Sequence, residues 1–273
     1  MMSLILSYEC FAPKTTTAQD TLVSDTVDKI KDIDPAFVSV TCGAGGGQQE
    51  GYTFETVKKM NSLLPGAIVP HVLARLTPTG TLAGKAEHYA QMGVKRVVAL
   101  RGDKADKEHS TVDLVAALRA TTDFDVCVSG YPQIHPLASS PQADLDYLKA
   151  KVQAGASHIL TQFCYDTSAL AAFKSRLDDM EVEAPISVGM LMGADPAFIR
   201  KLCHQCEVPE PQTLLAKLDG LEQPDREAVL VEHFVDLTSD LVRWGYAGLH
   251  IYTLNHAKLS LAFHSGLIDA GLL

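Results

Sequence analysis

Eight short apolar runs recur along the chain, separated by stretches in which apolar residues repeat with helical spacing. The runs are rich in Val, Ile and Leu and lie at residues 3–10, 37–42, 68–73, 96–102, 125–132, 158–164, 186–192 and 248–254. Because they are continuously apolar, whereas a sheet with one wet face would alternate, they predict parallel strands covered on both sides. The intervening stretches predict helices at 17–32, 53–64, 80–93, 111–122, 141–155, 167–180, 195–206, 212–244 and 255–267.

The regular order of strand and helix favours one architecture. Strands start about every 28 to 34 residues, as a strand plus a crossover helix requires, except before the last strand, where we predict an extra helix around 210–222. Eight such units predict a single α/β domain, a (β/α)8 TIM barrel over residues 1–273. The main alternative is an open doubly wound sheet. That fold usually has a Gly-rich first turn, whereas the first turn here reads ECFAPKT.

Composition and charge narrow the possible partners. The net charge is −10, from 33 acidic and 23 basic residues, which disfavours binding to nucleic acid or to an anionic membrane. No apolar stretch approaches the roughly 20 residues of a membrane-spanning helix, and the start MMSLILSYECF lacks the features of a signal peptide. Six cysteines show no spacing typical of a disulfide framework. We therefore expect a cytoplasmic protein that acts on small molecules.

Polar side chains follow almost every predicted strand. In a barrel these positions share one mouth, where the chemistry of such folds takes place. A single Asp or Glu after a strand is more often a turn or a helix cap than a catalytic group. It is the convergence of many such residues that indicates a binding site. They are Glu9, Thr41, His71, Arg101, Asp103, Tyr131, His135, Gln162, Tyr252 and Asn255.

The predicted helix after strand five carries a second candidate feature. Asp144, Tyr147 and Lys151 are spaced i, i+3 and i+7, which places them on one helix face. A solvated surface face is the simpler interpretation. The alternative is that these residues hold hydroxyls and a phosphate of an extended ligand, with Arg101 and His135 adding positive charge beside a pyrophosphate.

Two other motifs are weaker. The segment CHQC at 203–206 has metal-ligand spacing but no second pair, so we predict no metal site. The tripeptide Arg-Gly-Asp at 101–103 also occurs in adhesion ligands, but a cytoplasmic protein has no use for that function.

An ordered set of segments resembles the bacterial methylenetetrahydrofolate reductase family. They are YECFAPK, FVSVTCGAGG, PHVL, VVALRGD, SGYPQIHP, QADLDYLKAKVQAGA, TQFCYD and HIYTLNHA, and they run from about residue 7 to residue 266. The resemblance implies a flavoprotein of one-carbon metabolism and methionine biosynthesis. Such an enzyme uses NADH or NADPH to reduce bound FAD, and then reduces methylenetetrahydrofolate at the same face. It also implies a homo-oligomer, either a dimer or a tetramer.

The resemblance also implies roles for individual residues. Glu9 matches the general acid that opens the folate ring, and Asp103 matches the aspartate beside flavin and pterin. FAD contacts are implied for Thr41, His71, Arg101, Gly102, Asp103, Tyr131, His135, Asp144, Tyr147 and Lys151. Substrate contacts are implied for Glu9, Asp103, Gln162, Tyr252 and His256.

This chain departs from the family pattern at several positions near the site, which include Leu202 and Phe198 on the predicted helix after strand seven. The loop after Asp103 is shorter than in well-known members, and His256 stands where they carry an arginine. Two hypotheses from other classes remain at this point. One is a flavin-free barrel that binds a pterin and passes a methyl group to a corrinoid or metal partner. The other is a scaffold that displays Arg-Gly-Asp.

Overall fold

The eight predicted strands form a closed parallel barrel. The computed structural model describes residues 4–42, 50–77, 79–102 and 109–273. Each strand pairs in parallel with the next, and the first pairs with the last. The prediction of a TIM barrel is therefore confirmed. The strands are β1 Ile5–Cys10, β2 Phe37–Val40, β3 Ile68–Leu73, β4 Arg96–Leu100, β5 Asp125–Gly130, β6 His158–Phe163, β7 Ile186–Leu191 and β8 Gly248–Tyr252.

Helices surround the barrel in the order that the sequence predicts. They are α1 Thr16–Leu22, α2 Asp28–Ile30, α3 Glu50–Asn61, α4 Thr79–Gln91, α5 Thr111–Thr121, α6 Pro141–Gln153, α7 Thr167–Asp179, α8 Pro196–Cys206, α9 Gln212–Leu218, α10 Gln223–Arg243 and α11 Ala257–Asp269. Across the described ranges, each helix is too short or too polar to cross a bilayer.

Helix starts follow from local sequence. Ser140 and Asp195 each precede a proline, and each side chain accepts a hydrogen bond from a backbone N–H in the first turn of its helix. Proline fits the next position because a helix leaves its first N–H groups unbonded.

Two helical regions differ from the sequence prediction. The continuous helix predicted over 17–32 is interrupted, because a π-helical segment, Val23–Val27, separates α1 from α2. The region 212–244 divides into α9 and α10 at a turn in which Gly220 has a φ of +81°. The helix α9 lies within the range 210–222, where the extra helix is predicted.

The inside of the barrel is unusually polar for a packed core. Ser7 and His250 bond to each other at 2.8 Å, and His158 and Ser187 form a similar pair at 2.8 Å. Phe37 packs against both imidazole rings. Two strand glycines, Gly189 and Gly248, have no room for a side chain. A Cβ on Gly248 would lie 2.2 Å from the carbonyl oxygen of Ile5.

Candidate active site

Glu9 lies at the carboxyl end of β1, between two histidines. Its Oε2 is 3.4 Å from Nε2 of His71 on β3 and 3.5 Å from Nε2 of His250 on β8. The side chain of Glu9 is 12% exposed, and those of His71 and His250 are 8% and 1% exposed. Burial lowers the pKa of His71, although Glu9 opposes that shift. The arrangement gives one carboxyl group, largely withdrawn from water, at the mouth of the barrel.

A cavity of about 520 Å³ opens between the ends of β4 and β5 and the start of α6. Ligand sites commonly fall in the range of roughly 300–1,000 Å³. The lining residues include six of the sequence-predicted cofactor contacts, which are Arg101, Gly102, Tyr131, His135, Asp144 and Tyr147, together with Lys151 at the cavity wall. The structure therefore brings seven of these predicted residues to one cavity.

Lys151 places a positive charge at this cavity, and burial removes that charge from water. Its side chain is 5% exposed, and its ammonium donates a hydrogen bond to the carbonyl oxygen of Ser129 and lies 5.4 Å from the ring centre of Tyr147. Burial lowers the pKa of Lys151 from 10.5 to about 8, although Asp144 opposes the shift. At neutral pH the amine is still protonated, so it remains able to bind an anion.

The other side chains around the cavity are held by backbone contacts. Asp144 accepts a hydrogen bond at 2.9 Å from the backbone N–H of His135, and Tyr147 Oη accepts one at 3.0 Å from Thr111. The backbone N–H of Leu137 donates to His135 Nδ1, so the neutral ring carries its hydrogen on Nε2. Burial, and then Arg101, lower the pKa of His135. His135 is therefore a neutral donor here, whereas the sequence suggested an additional positive charge.

Arg101 is the second cation of the cavity. Its Nε is buried and has no hydrogen-bond partner within the described ranges. Because a buried guanidinium N–H without an acceptor is costly, this atom is suited to an anionic or carbonyl ligand. Arg75, which the sequence analysis did not single out, lies beside it. The nearest atom to a Cβ placed on Gly102 would be Arg75 Nε, at 3.6 Å.

Tyr252 and Tyr131 lie where the interior of the barrel meets the cavity. Burial raises the pKa of Tyr252 well above its ordinary value, with Glu9 and then Tyr131 adding to the shift. The hydroxyl of Tyr252 donates to the carbonyl oxygen of Thr161 at 2.9 Å. Tyr131 stacks edge-on against His135, with ring centres 4.5 Å apart. A ligand that spans both regions would therefore pass these two rings.

The remaining predicted residues occupy the rim of the same mouth. Gln162 Oε1 accepts a hydrogen bond from the backbone N–H of Phe163. Thr41 is buried at the end of β2, and its hydroxyl oxygen accepts a bond from the backbone of Ala12. His256 is exposed at the start of α11 and forms no cap to that helix.

Asp103 lies outside the described residues, as does most of the Gly-rich segment that follows Thr41. Within the described ranges, no cluster of three or more His, Cys, Asp or Glu side chains is arranged to hold a metal ion. All six cysteines are free thiols.

Sequence reasoning missed His250 and Ser7. Both lie within predicted strands, and His250 lies on the same strand face as Tyr252. A histidine two positions before a strand-end tyrosine was the available signal. Asn255, which the sequence analysis named only as a strand-end residue, forms two hydrogen bonds with the backbone of Phe11. Its Oδ1 accepts from the N–H of Phe11 at 2.8 Å, and its Nδ2 donates to the carbonyl oxygen at 3.0 Å.

Nearly the whole chain matches known proteins of one family. The family model for methylenetetrahydrofolate reductase matches residues 2–267. The 5,10-methylenetetrahydrofolate reductases of Pectobacterium carotovorum and Escherichia coli are each 33% identical over 263 residues, which cover 94% of this chain and 88% of theirs. The Arabidopsis thaliana protein called methylenetetrahydrofolate reductase (NADH) 1 is 29% identical over 96% of this chain and 48% of its own length.

Solved structures share the fold at low sequence identity. A protein from Clostridium thermocellum that binds two copies of 5-methyl-5,6,7,8-tetrahydrofolic acid has a TM-score of 0.65 and 12% identity, with 99% of this chain and 96% of that chain covered. An oxaloacetate acetylhydrolase has a TM-score of 0.56 and 14% identity, with 99% of this chain and 81% of that chain covered. These two matches support the barrel fold alone.

Proposed function

The chain belongs to the methylenetetrahydrofolate reductase family, and on that premise we propose that it reduces 5,10-methylenetetrahydrofolate to 5-methyltetrahydrofolate with bound FAD and with NADH or NADPH as hydride donor. The observation that carries the proposal is Glu9, a carboxyl group that is only 12% exposed at the barrel mouth. We propose a cytoplasmic homo-oligomer, a dimer or a tetramer, that acts in one-carbon metabolism and methionine biosynthesis.

The cavity suits the diphosphate and adenosine half of FAD. Lys151 and Arg101 are cations at this cavity, and the Nε of Arg101 is a buried donor that lacks a partner in the part of the chain that the structure describes. Asp144 and Tyr147 supply acceptors and an aromatic face on the same helix, α6. We propose that these residues, with Gly102, Tyr131 and His135, hold FAD, and that Thr41 and His71 contact it at the mouth. FAD would supply hydride transfer between the nicotinamide and the folate.

The role that we propose for Glu9 follows from the stoichiometry of the reaction. Methylenetetrahydrofolate gains a hydride and a proton when it becomes methyltetrahydrofolate, so each turnover consumes one proton. A carboxylic acid in a site that excludes water can deliver that proton to the folate nitrogen whose bond to the methylene carbon breaks. We propose this role for Glu9. We also propose that Asp103 stabilises the cationic folate electrostatically.

The other mouth residues would bind and orient the folate. Gln162 and Tyr252 lie at the ends of β6 and β8, and His256 begins α11. Because His256 is exposed at the rim, we propose that it contacts the outer part of the substrate, where other family members carry an arginine.

The proposal is tested by the spectrum and by two half-reactions. The purified protein should show the absorption bands of bound flavin, and NADH or NADPH should bleach them. Methylenetetrahydrofolate should then restore the bands as it is reduced. A flavin-free protein would contradict the proposal and would favour the methyl-transfer hypothesis.

The variant Glu9→Gln separates binding from proton donation. We expect reduction of the flavin by NAD(P)H to be retained and folate reduction to fall by roughly 10²–10⁴-fold, the usual contribution of general acid catalysis. Glu227→Gln is the matched control, because Glu227 is also mostly buried, at 18% exposure, but pairs with Lys258 on the outer helices. Normal folate turnover in Glu9→Gln would refute the role of Glu9.

A further inference from the structure

His250 is a fully buried imidazole whose two nitrogens face two different groups. Its ring is 1% exposed. Nδ1 lies 2.8 Å from the hydroxyl oxygen of Ser7, and Nε2 lies 3.5 Å from Glu9 Oε2. Two aromatic rings fix its orientation: Tyr252 contacts it edge-on at 5.3 Å, and Phe37 packs against it at 5.9 Å. The imidazole is therefore held in one position beneath the carboxyl group.

The hydrogen bonds around Ser7 fix which nitrogen of His250 carries a hydrogen. The Ser7 hydroxyl has one hydrogen, which it donates to the carbonyl oxygen of Leu249 at 3.1 Å. With that hydrogen bonded to Leu249, the hydroxyl oxygen is left as an acceptor, and we assign the hydrogen of the Ser7–His250 pair to Nδ1. In the neutral ring the other nitrogen, Nε2, then carries only a lone pair.

Because the lone pair of His250 Nε2 faces Glu9, the protonation state of the two residues determines whether their contact is attractive. An ionised carboxylate would meet the lone pair of Nε2 with no hydrogen between them, which is repulsive. The contact is attractive when Glu9 is protonated and donates to Nε2, or when His250 is protonated and donates to Glu9. In both states one proton lies between the two residues. Nε2 of His250 has no hydrogen-bond partner among the described residues, and Glu9 Oε2 at 3.5 Å is a close charge contact rather than a hydrogen bond.

We infer that His250, oriented by Ser7, is a positioning residue that keeps one proton on the Glu9–His250 pair, ready for transfer to the substrate. This inference rests on the proposed function, because it is the folate nitrogen that takes the proton from Glu9. After each transfer the carboxylate is left facing the lone pair of Nε2, and that repulsion is relieved when Glu9 regains a proton from solvent. No proton is created or lost within the pair over a complete turnover.

The other titratable groups that face His250 do not supply this proton. His71 on β3 points its Nε2 at the same carboxyl oxygen, but burial lowers its pKa. His158 on β6 lies deeper in the lumen, and burial lowers its pKa to about 4, with Arg96 and then His250 adding to the shift. Tyr252 on β8 has a raised pKa and donates its hydrogen to Thr161. At neutral pH these three groups are uncharged.

Nuclear magnetic resonance tests the shared proton without any substrate. In protein labelled with ¹⁵N-histidine and ¹³C-carboxyl glutamate, the nitrogen shifts should show a hydrogen on Nδ1 of His250, and at neutral pH either Nε2 of His250 or the carboxyl group of Glu9 should show the shift of a protonated group. In Glu9→Gln the side-chain amide should donate to Nε2, and Nδ1 should keep its hydrogen. An ionised Glu9 carboxyl beside an uncharged His250 ring would overturn the inference.

Kinetics test the consequence for turnover. His250→Asn keeps an amide N–H where Nδ1 bonds to Ser7, but it has no nitrogen facing Glu9. We expect folate reduction to fall roughly 10- to 100-fold with a changed pH profile, in the range of a misplaced catalytic group, while reduction of the flavin by NAD(P)H is unchanged. His158→Gln is the matched control, since its amide keeps the bond to Ser187 and lies away from Glu9.

The proposed function and the role of His250 are overturned by different results. A wild-type protein that does not reduce folate with either donor would overturn the proposed function, while the resonance measurement would still decide whether Glu9 and His250 share a proton. Normal folate reduction in His250→Asn, with an unaltered pH profile, would overturn the role of His250 and leave the proposed function intact.

Discussion

The buried ammonium of Lys151 should make the ligand-free protein less stable than a variant that lacks it. Burial lowers the pKa of Lys151 from 10.5 to about 8. One unit of pKa corresponds to about 1.4 kcal/mol, so the charge costs the folded state on the order of 3 kcal/mol at pH 7. Lys151→Met keeps the length of the side chain but loses the bond to Ser129, which is worth about 1 kcal/mol. We expect a net stabilisation of about 2 kcal/mol.

This difference should reverse sign as the pH rises. Between about pH 8 and pH 10.5 the unfolded chain binds more protons at this lysine than the folded protein does, so wild-type stability increases with pH. The variant lacks this contribution. Above that range only the lost hydrogen bond remains, so Lys151→Met should be less stable than the wild type by about 1 kcal/mol. Urea unfolding of both proteins at pH 7 and pH 10.5 measures the crossover.

Lys149→Met is the matched control for this experiment. Lys149 lies on the same helix, and its ammonium also donates to a backbone carbonyl, that of Met180, but its side chain is only partly buried. We expect a loss of about 1 kcal/mol at both pH values. FAD should reverse the ranking, because Lys151→Met should bind it roughly 10- to 100-fold more weakly, as expected when a charge-assisted hydrogen bond is lost. A ligand-free Lys151→Met protein that is less stable than wild type at pH 7 would refute the reasoning.

Two further predictions concern the backbone around the site. Gly189→Ala should reduce both stability and folate turnover, because the new Cβ would lie 2.4 Å from the carbonyl oxygen of Thr161. Gly84→Ala is the control, because Gly84 lies in open space on α4. We expect that variant to stabilise the protein by about 0.5–1 kcal/mol in thermal unfolding. Asn255→Gly should lose the two hydrogen bonds to Phe11, about 2 kcal/mol in total. Asn255→Ala should lose roughly 1–2 kcal/mol more, because residue 255 has a φ of +61°. Equal urea midpoints for the two Asn255 variants would contradict the argument from backbone strain.

The strands were predictable because burial on both faces leaves an unmistakable pattern. All eight lie within two residues of their predicted starts, and their order follows from regular spacing. Their ends were less predictable. The last apolar run continues to residue 254, but β8 ends at Tyr252, and both Leu254 and Asn255 adopt a positive φ. An apolar leucine gives no sign that its backbone turns left-handed, since tertiary contacts set that conformation.

Most members of the candidate site were predictable from the sequence, but His250, Ser7 and the pairings between side chains were not. That Arg101, Asp144 and Lys151 share a cavity follows from the position of strand ends and from helix periodicity. The contact between Glu9 and His250 does not, because it depends on the register between the first and the last strand. Whether a histidine is charged also depends on its surroundings. Burial beside Arg101 is what makes His135 neutral.

The barrel closes only when β1 pairs with β8, the first and the last strands of the chain, and this affects how the protein folds during synthesis. Glu9 meets His250 across 241 positions of the chain, and Thr253, 244 positions from Glu9, holds the same two strand ends together by donating its hydroxyl hydrogen to the carbonyl oxygen of Glu9. Contacts between such distant positions are costly to form and tend to be completed late in folding. A nascent chain that still lacks its last strand therefore carries its acid without the imidazole beneath it. The capacity for turnover should therefore appear only when synthesis and closure of the ring are complete.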